Sequence, residues 1–135
     1  MATKLTKKTY ERELERMQEE LVQLQEAVRA DGLRVFPGPV AGGVAAPFLV
    51  PATVDRETVW AALDCPGGWS VISPGRPYVL GRMAAVVSAL PAPGDECVVV
   101  GTCEELDGRK AAVRTAIYSP DGGLLAHARA TWIAI

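Results

Sequence analysis

DRETVWAALDCPGG, residues 55–68, reads as a short helix with its own stop signal. Asp55 is a good N-cap, because its carboxylate can accept from the free amides of a first turn, so the helix is expected to begin near Arg56. Val59, Trp60, Leu63 and the alanines 61 and 62 leave it apolar on most sides, which predicts a buried helix. Pro66 has no N–H and its ring crowds the preceding turn, so the helix should end or kink there. Gly67 and Gly68 then permit close backbone approach by another group.

Outward from this helix the pattern is β. Upstream, FPGPVAGG (36–43) reads as loop, and VAAPFLV (44–50), an apolar run broken by a Pro, as an edge or bulged strand. Downstream, strands are expected at about 78–90, 96–105, 109–118 and 124–135, where runs such as AAVVSAL and TWIAI are rich in β-formers. Asp107-Gly108 is a strong hairpin signal, and Pro120-Asp121-Gly122-Gly123 is a second turn. The order is short strand, buried helix, then an antiparallel meander. A sheet that long hides its apolar face by curling around the helix, which gives the α+β class.

Composition narrows the function. A chain of 135 residues suits one compact domain plus an appendage, and 49% apolar residues suffice for a core without disulfides or metal. The net charge is −2 with no basic patch, which argues against nucleic acid as a partner. Cys65, Cys97 and Cys103 are odd in number and form no CxxC pair. That argues against a disulfide framework or a zinc site and fits a reducing cytoplasm. Lys4, Lys7 and Lys8 precede no apolar h-region, and no apolar run reaches 18 residues. Neither a signal peptide nor a membrane span is expected.

All 13 Gly and all 10 Pro lie in residues 31–135, so residues 1–30 are a separate unit. They read as one charged helix from about Thr6 to Ala30, with Tyr10, Leu14, Met17, Leu21, Leu24 and Val28 in an a/d stripe. Asp31-Gly32 supplies its stop. So short a seam is marginal alone. It is expected to pack on its own domain, on a second copy, or on a foreign partner.

The run LTKKTYERELERMQEELVQLQEAVRADGLRV (5–35) resembles the N-terminal helical segment of family-2 polyphosphate kinases. Those kinases continue into a Walker A loop, GxxxxGK[ST]; here the chain continues FPGPVAGGVAAPFLVP, and no lysine occurs between Lys8 and Lys110. Phosphoryl transfer is therefore rejected.

The runs GLRVFPGPVAGGVAAPF, VWAALDCPGGWS, VLGRMAAVV, DGRKAAVRTAIYSPDG and LLAHARATWIAI cover nearly all of residues 32–135. Together they resemble an actinobacterial group within the thioesterase superfamily. The resemblance implies a hotdog fold, a curved antiparallel sheet wrapped around a central helix, for residues 31–135. It also implies hydrolysis of acyl-CoA or another acyl thioester, with CoA as part of the substrate and no separate cofactor. A homodimer or homotetramer is implied too, since in this fold the pocket usually needs two subunits. A Cys-containing segment of the type CFVCGP, usual before the GLRVFPG run, is absent here.

Asp64 is the leading candidate for catalysis. It is the only carboxylate in the apolar run 59–65, and the resemblance places an acidic residue on the central helix to attack the thioester or activate water. Proximity to the helix C-terminus and desolvation would both raise its pKa. The plainer alternative is a carboxylate bonding backbone amides after Pro66. Gly67 and Gly68 could offer amides to the thioester carbonyl, or could simply stop the helix. Arg82, Arg109 and Lys110 are candidates for CoA phosphates, against the alternative of solvated charge. His127, the sole histidine, lacks the neighbouring Asp that a hydratase of this fold would need. Cys65 as nucleophile would need a base, and a small buried side chain is the alternative. A non-catalytic thioester binder and an assembly module driven by the N-terminal helix are the competing functions.

Overall fold

The computed structural model describes residues 37–73 and 75–135, together with Val35 and residues 6–9, 11, 12, 15 and 16. The chain divides into two units, residues 1–32 and 33–135. In the first, Thr9 N–H donates to Thr6 Oγ1 at 3.2 Å, which caps a helix that includes residues 7–9, 11, 12, 15 and 16. Lys7 and Glu11 approach to 3.9 Å on its exposed surface, a pairing that adds little stability. The a/d stripe and the Gly32 stop lie outside the described residues.

The second unit runs β1 (Gly38–Val40), β2 (Gly43–Leu49), α1 (Arg56–Trp69), β3 (Tyr78–Val87), β4 (Glu96–Asp107), β5 (Lys110–Tyr118) and β6 (Leu124–Ala134). The strands form one antiparallel sheet in the order β1-β2-β4-β5-β6-β3. α1 packs against β2, β3, β4, β5 and β6, which requires the sheet to curve around it. Leu63, Val59, Ile117, Val50, Val99 and Val113 fill the space between helix and sheet. Each such side chain contributes about 1.5–3 kcal/mol of burial.

The helix begins as expected. Asp55 accepts from Thr58 N–H at 2.8 Å, and Asp55 N–H donates to the Thr58 hydroxyl at 3.4 Å, so the first turn is closed by a reciprocal box. Its end differs from the sequence expectation. Pro66 lies inside α1, which continues through Gly67 and Gly68 to Trp69. Only the last turn follows, and Ser70 closes it, with its N–H on Pro66 O at 3.1 Å and its hydroxyl on Gly67 O at 2.7 Å. Packing outweighs the lost amide. A Cβ on Gly101 of β4 would stand 2.6 Å from Pro66 O, so the helix backbone rests directly on the sheet at a position only glycine allows.

The expectation of a helix buried on most sides is also corrected. Val59, Ala62, Leu63, Pro66, Gly67 and Gly68 are buried, but Trp60 and Trp69 are 39% and 60% exposed. One sheet covers only one side of the helix.

The expected meander holds only for β4, β5 and β6. β3 pairs with β6 at the far edge, and β4 pairs with β2 instead. Residues 88–95, with Pro91, Pro93 and a left-handed Gly94, carry the chain from one flank of the sheet to the other. The stretch read as loop contains β1, hairpinned to β2 through Ala41 and Gly42, the latter at φ +81°. Pro39 fits there because β1 is an edge strand. The Asp107-Gly108 turn joins β4 to β5 as expected.

Candidate active site

Asp64 stands on α1 one turn before Gly67 and Gly68, at the border between the buried and exposed faces. Its Oδ1 is buried and meets no hydrogen-bond partner among the described residues. Burial pushes the carboxyl above its usual range, and no charge counters that effect. Asp64 lies five residues before the end of α1, so desolvation rather than the helix terminus is the cause.

Gly67 and Gly68 serve a different purpose from the expected helix stop. A Cβ on Gly68 would come within 2.8 Å of Trp132 Cη2, and one on Gly67 within 3.2 Å of Trp132 Nε1. The two glycines make room for the indole. Inside a helix an amide donates to the carbonyl four residues back, so these amides are not free for a thioester oxygen while the helix is intact. Trp132, only 8% exposed, belongs to the cluster of Tyr78, Ala111, Val113 and Ala134, and its Nε1 has no hydrogen-bond partner among the described residues. Its juxtaposition with two glycines far away in the chain leaves no local pattern.

The cations gather elsewhere. Lys110 begins β5 opposite Ile133, and Arg82 sits on β3 opposite Thr131, just past the bulge at Gly81. Both are exposed on the outer face, whereas Asp64 lies under the inner face. Arg109 Nε donates to Ala134 O at 2.9 Å, which ties the β4–β5 turn to the end of β6. Arg76, not singled out from the sequence, donates to Gly108 O at 2.9 Å and lies 5.5 Å from the Tyr78 ring centre. Arg76, Arg109 and Lys110 therefore meet at one end of the sheet.

His127 is exposed on the outer face of β6, opposite Ala116 and Val86, and is not beside Asp64. A groove of about 210 Å³ runs along this β3–β6 flank, lined by Ala84, Ala85, Val86, His127 and Arg129. Cys65 is exposed rather than buried; desolvation first, and the Asp64 charge second, raise its thiol pKa. Both effects disfavour a thiolate nucleophile. Among the described residues no three His, Cys, Asp or Glu side chains converge as metal ligands, and no helix is long and apolar enough to cross a membrane.

This architecture is shared with solved structures of the hotdog-fold thioesterase superfamily. A hypothetical thioesterase from Streptococcus pneumoniae, solved with coenzyme A, superposes with a TM-score of 0.67 at 16% identity, covering 75% of this chain and 88% of that one. The Escherichia coli PaaI protein from the phenylacetic acid degradation operon gives 0.71 at 12% identity, covering 87% and 89%. A Streptococcus mutans protein bound to acetyl-CoA gives 0.61 at 17% identity, covering 76% and 86%. No family model matches the sequence, and no curated protein matches it. The fold is the hotdog fold, and its structural neighbours include proteins that hold CoA or an acyl-CoA.

Proposed function

We propose that this chain binds an acyl-CoA or related acyl thioester and hydrolyses it to free acid and thiol. The observation that carries this reading is Asp64, a half-buried carboxylate of raised pKa with an unmet oxygen, on the central helix of a fold whose neighbours include proteins solved with CoA or acetyl-CoA. A carboxylate of raised basicity is suited to accept a proton near neutral pH. Asp64 takes a proton from water as the water oxygen bonds to the acyl carbon. The C–S bond then breaks, and the departing thiolate takes that proton. Direct attack by Asp64 would give an acyl-enzyme that water opens; a single turnover in ¹⁸O-water labels the Asp64 carboxylate only on that route.

A second copy completes the assembly in this reading. β3 is the longer of the two edge strands, ten residues against three in β1, and among the described residues it leaves one row of backbone groups unpaired. Val79, Leu80 and Val86 on it are exposed, as are Trp60 and Trp69 on α1. An exposed edge of that length calls for a partner. We propose a homodimer, with a homotetramer as the further assembly. Arg82, Arg109 and Lys110 then serve the CoA phosphates only if the thioester spans two subunits, because within one chain Arg82 and Lys110 lie across the sheet from Asp64. The three free cysteines suit a reducing cytoplasm.

The test is free-thiol release from short, long and aromatic acyl-CoAs, comparing wild type with Asp64→Ala. Hydrolysis lost in a folded variant supports the mechanism; full activity in that variant overturns it. Binding without thiol release identifies a non-catalytic binder. A drop in oligomeric mass on deleting residues 1–30 would give the N-terminal helix an assembly role.

A further inference from the structure

We propose that Trp132 is a positioning residue for Asp64: its indole N–H binds the inner carboxylate oxygen and leaves the outer oxygen to face the substrate. The proposal rests on the thioesterase reading for its consequence, but not for the contact itself.

The argument begins with two orphaned atoms. Asp64 Oδ1 and Trp132 Nε1 are both buried without a hydrogen-bond partner. Buried polar atoms rarely remain so. The pair is complementary, since an indole nitrogen only donates and an ionised carboxylate only accepts. Asp64 Oδ2 is not among the sealed atoms, so the carboxylate already has one oxygen inward and one toward the surface.

Their placement follows from the helix. Asp64, Gly67 and Gly68 share one stripe of α1, three and four residues apart. The Cα–Cβ direction of a helical residue leans toward the helix N-terminus, so at Gly67 it leans toward the turn of Asp64. The atom met along it, at 3.2 Å, is Trp132 Nε1, while the six-membered ring lies over Gly68. The nitrogen end of the indole is thus the end nearer Asp64. Thr115 Cγ2 and Val113 Cγ1, each 3.4 Å from the same point, wall this spot. A rotation of the Asp64 side chain that carries its inner oxygen to the indole nitrogen joins the two groups.

Among the described residues no charged group is bonded to that oxygen, and Arg76 and Arg109 are engaged by Gly108 O and Ala134 O. Arg82, Arg114, His127 and Arg129 are exposed on the outer face of β3, β5 and β6. The titratable groups facing inward or adjacent on α1 are Tyr78, Cys97, Cys103 and Cys65, and none of these side chains is a cation. The indole is therefore the group in this contact suited to hold the ionised carboxylate.

The test removes the N–H and keeps the shape. In the full chain, Trp132 is replaced by β-(3-benzothienyl)alanine, in which sulfur stands for N–H, and by 7-azatryptophan, which restores it. The sulfur analogue is expected to lower kcat by roughly 10-fold to 100-fold with little change in KM, and to move the acid limb of the kcat/KM profile to higher pH. The aza analogue should keep the wild-type limb. A folded sulfur variant with an unmoved limb overturns the proposal. Titration of ¹³C-labelled Asp64 reads the same contact without turnover: its pKa rises when the N–H is removed, and an unchanged pKa overturns the contact. A chain that hydrolyses no thioester yet shows that rise refutes the reaction and supports the contact.

Discussion

Asp55 and Asp64 are the same side chain on one helix, and they stand in opposite circumstances. Asp55 is exposed at the N-terminus, where the Thr58 hydroxyl donates to it at 2.7 Å and Thr58 N–H at 2.8 Å. Those bonds, the hydroxyl's first, hold its carboxyl below the usual range. Asp64 is half-buried with an unmet oxygen, and desolvation holds it above that range. One carboxylate starts the helix and is stabilised by being charged. The other interrupts the buried face and is destabilised by being charged. A residue that the fold tolerates at a cost is a better functional candidate than one that the fold rewards.

The comparison yields graded outcomes. Asp64→Asn should lower thioester turnover by about 10²- to 10⁴-fold, while Asp55→Ala leaves it nearly unchanged per folded molecule; steady-state thiol release separates the two. Leu63→Ala empties the fully buried contact beside Asp64 and should cost about 2–5 kcal/mol in urea unfolding, whereas Arg56→Ala on the exposed first turn should stay within about 0.5 kcal/mol. Gly68→Ala drives a methyl into the Trp132 ring and should cost about 1–3 kcal/mol, with a change in near-ultraviolet dichroism.

The pH dependences should run in opposite directions. Folded Asp64 holds its proton more tightly than the unfolded chain does, so its charging penalty grows as pH rises through the folded value. Asp64→Asn should therefore melt higher than wild type at neutral pH, and the gap should close below about pH 4. Asp55 has a lowered folded value, so its contribution is present above about pH 4 and fades as pH falls through that folded value. Asp55→Ala should lower the melting temperature at neutral pH and converge with wild type in strong acid. Curves of the same sign for both variants would break the comparison.

What could be read from the sequence was local. The Asp55 cap, the Asp107-Gly108 hairpin and the β4–β5–β6 run depend on neighbours a few residues apart, so composition and spacing reveal them. The path of β3 to the far side of β6 depends on a pairing between distant segments. Pro66 misled because its helix-breaking tendency is a local rule, overridden by the seat that Gly101 offers the helix backbone. Within the site, Asp64 was found as a lone carboxylate in an apolar run. The glycines were noticed, but their occupant was not, since Trp132 reaches them only through the curvature of the sheet. Arg76 gave no signal beyond being one charge among many.

The strand order also has a consequence for assembly during synthesis. β3 leaves the ribosome before β6, its only hydrogen-bonding neighbour among the described residues. β1 with β2, and β4, β5 and β6 with one another, can close through short turns, whereas the free edge of β2 must wait for β4 and β3 must wait for β6, and such non-local pairings are the slow ones. Until β6 emerges, β3 presents Val79, Leu80 and Val86 on a strand with both edges bare. The nascent chain is thus most vulnerable to mispairing just before its last strand appears, when a chaperone would have the most to protect.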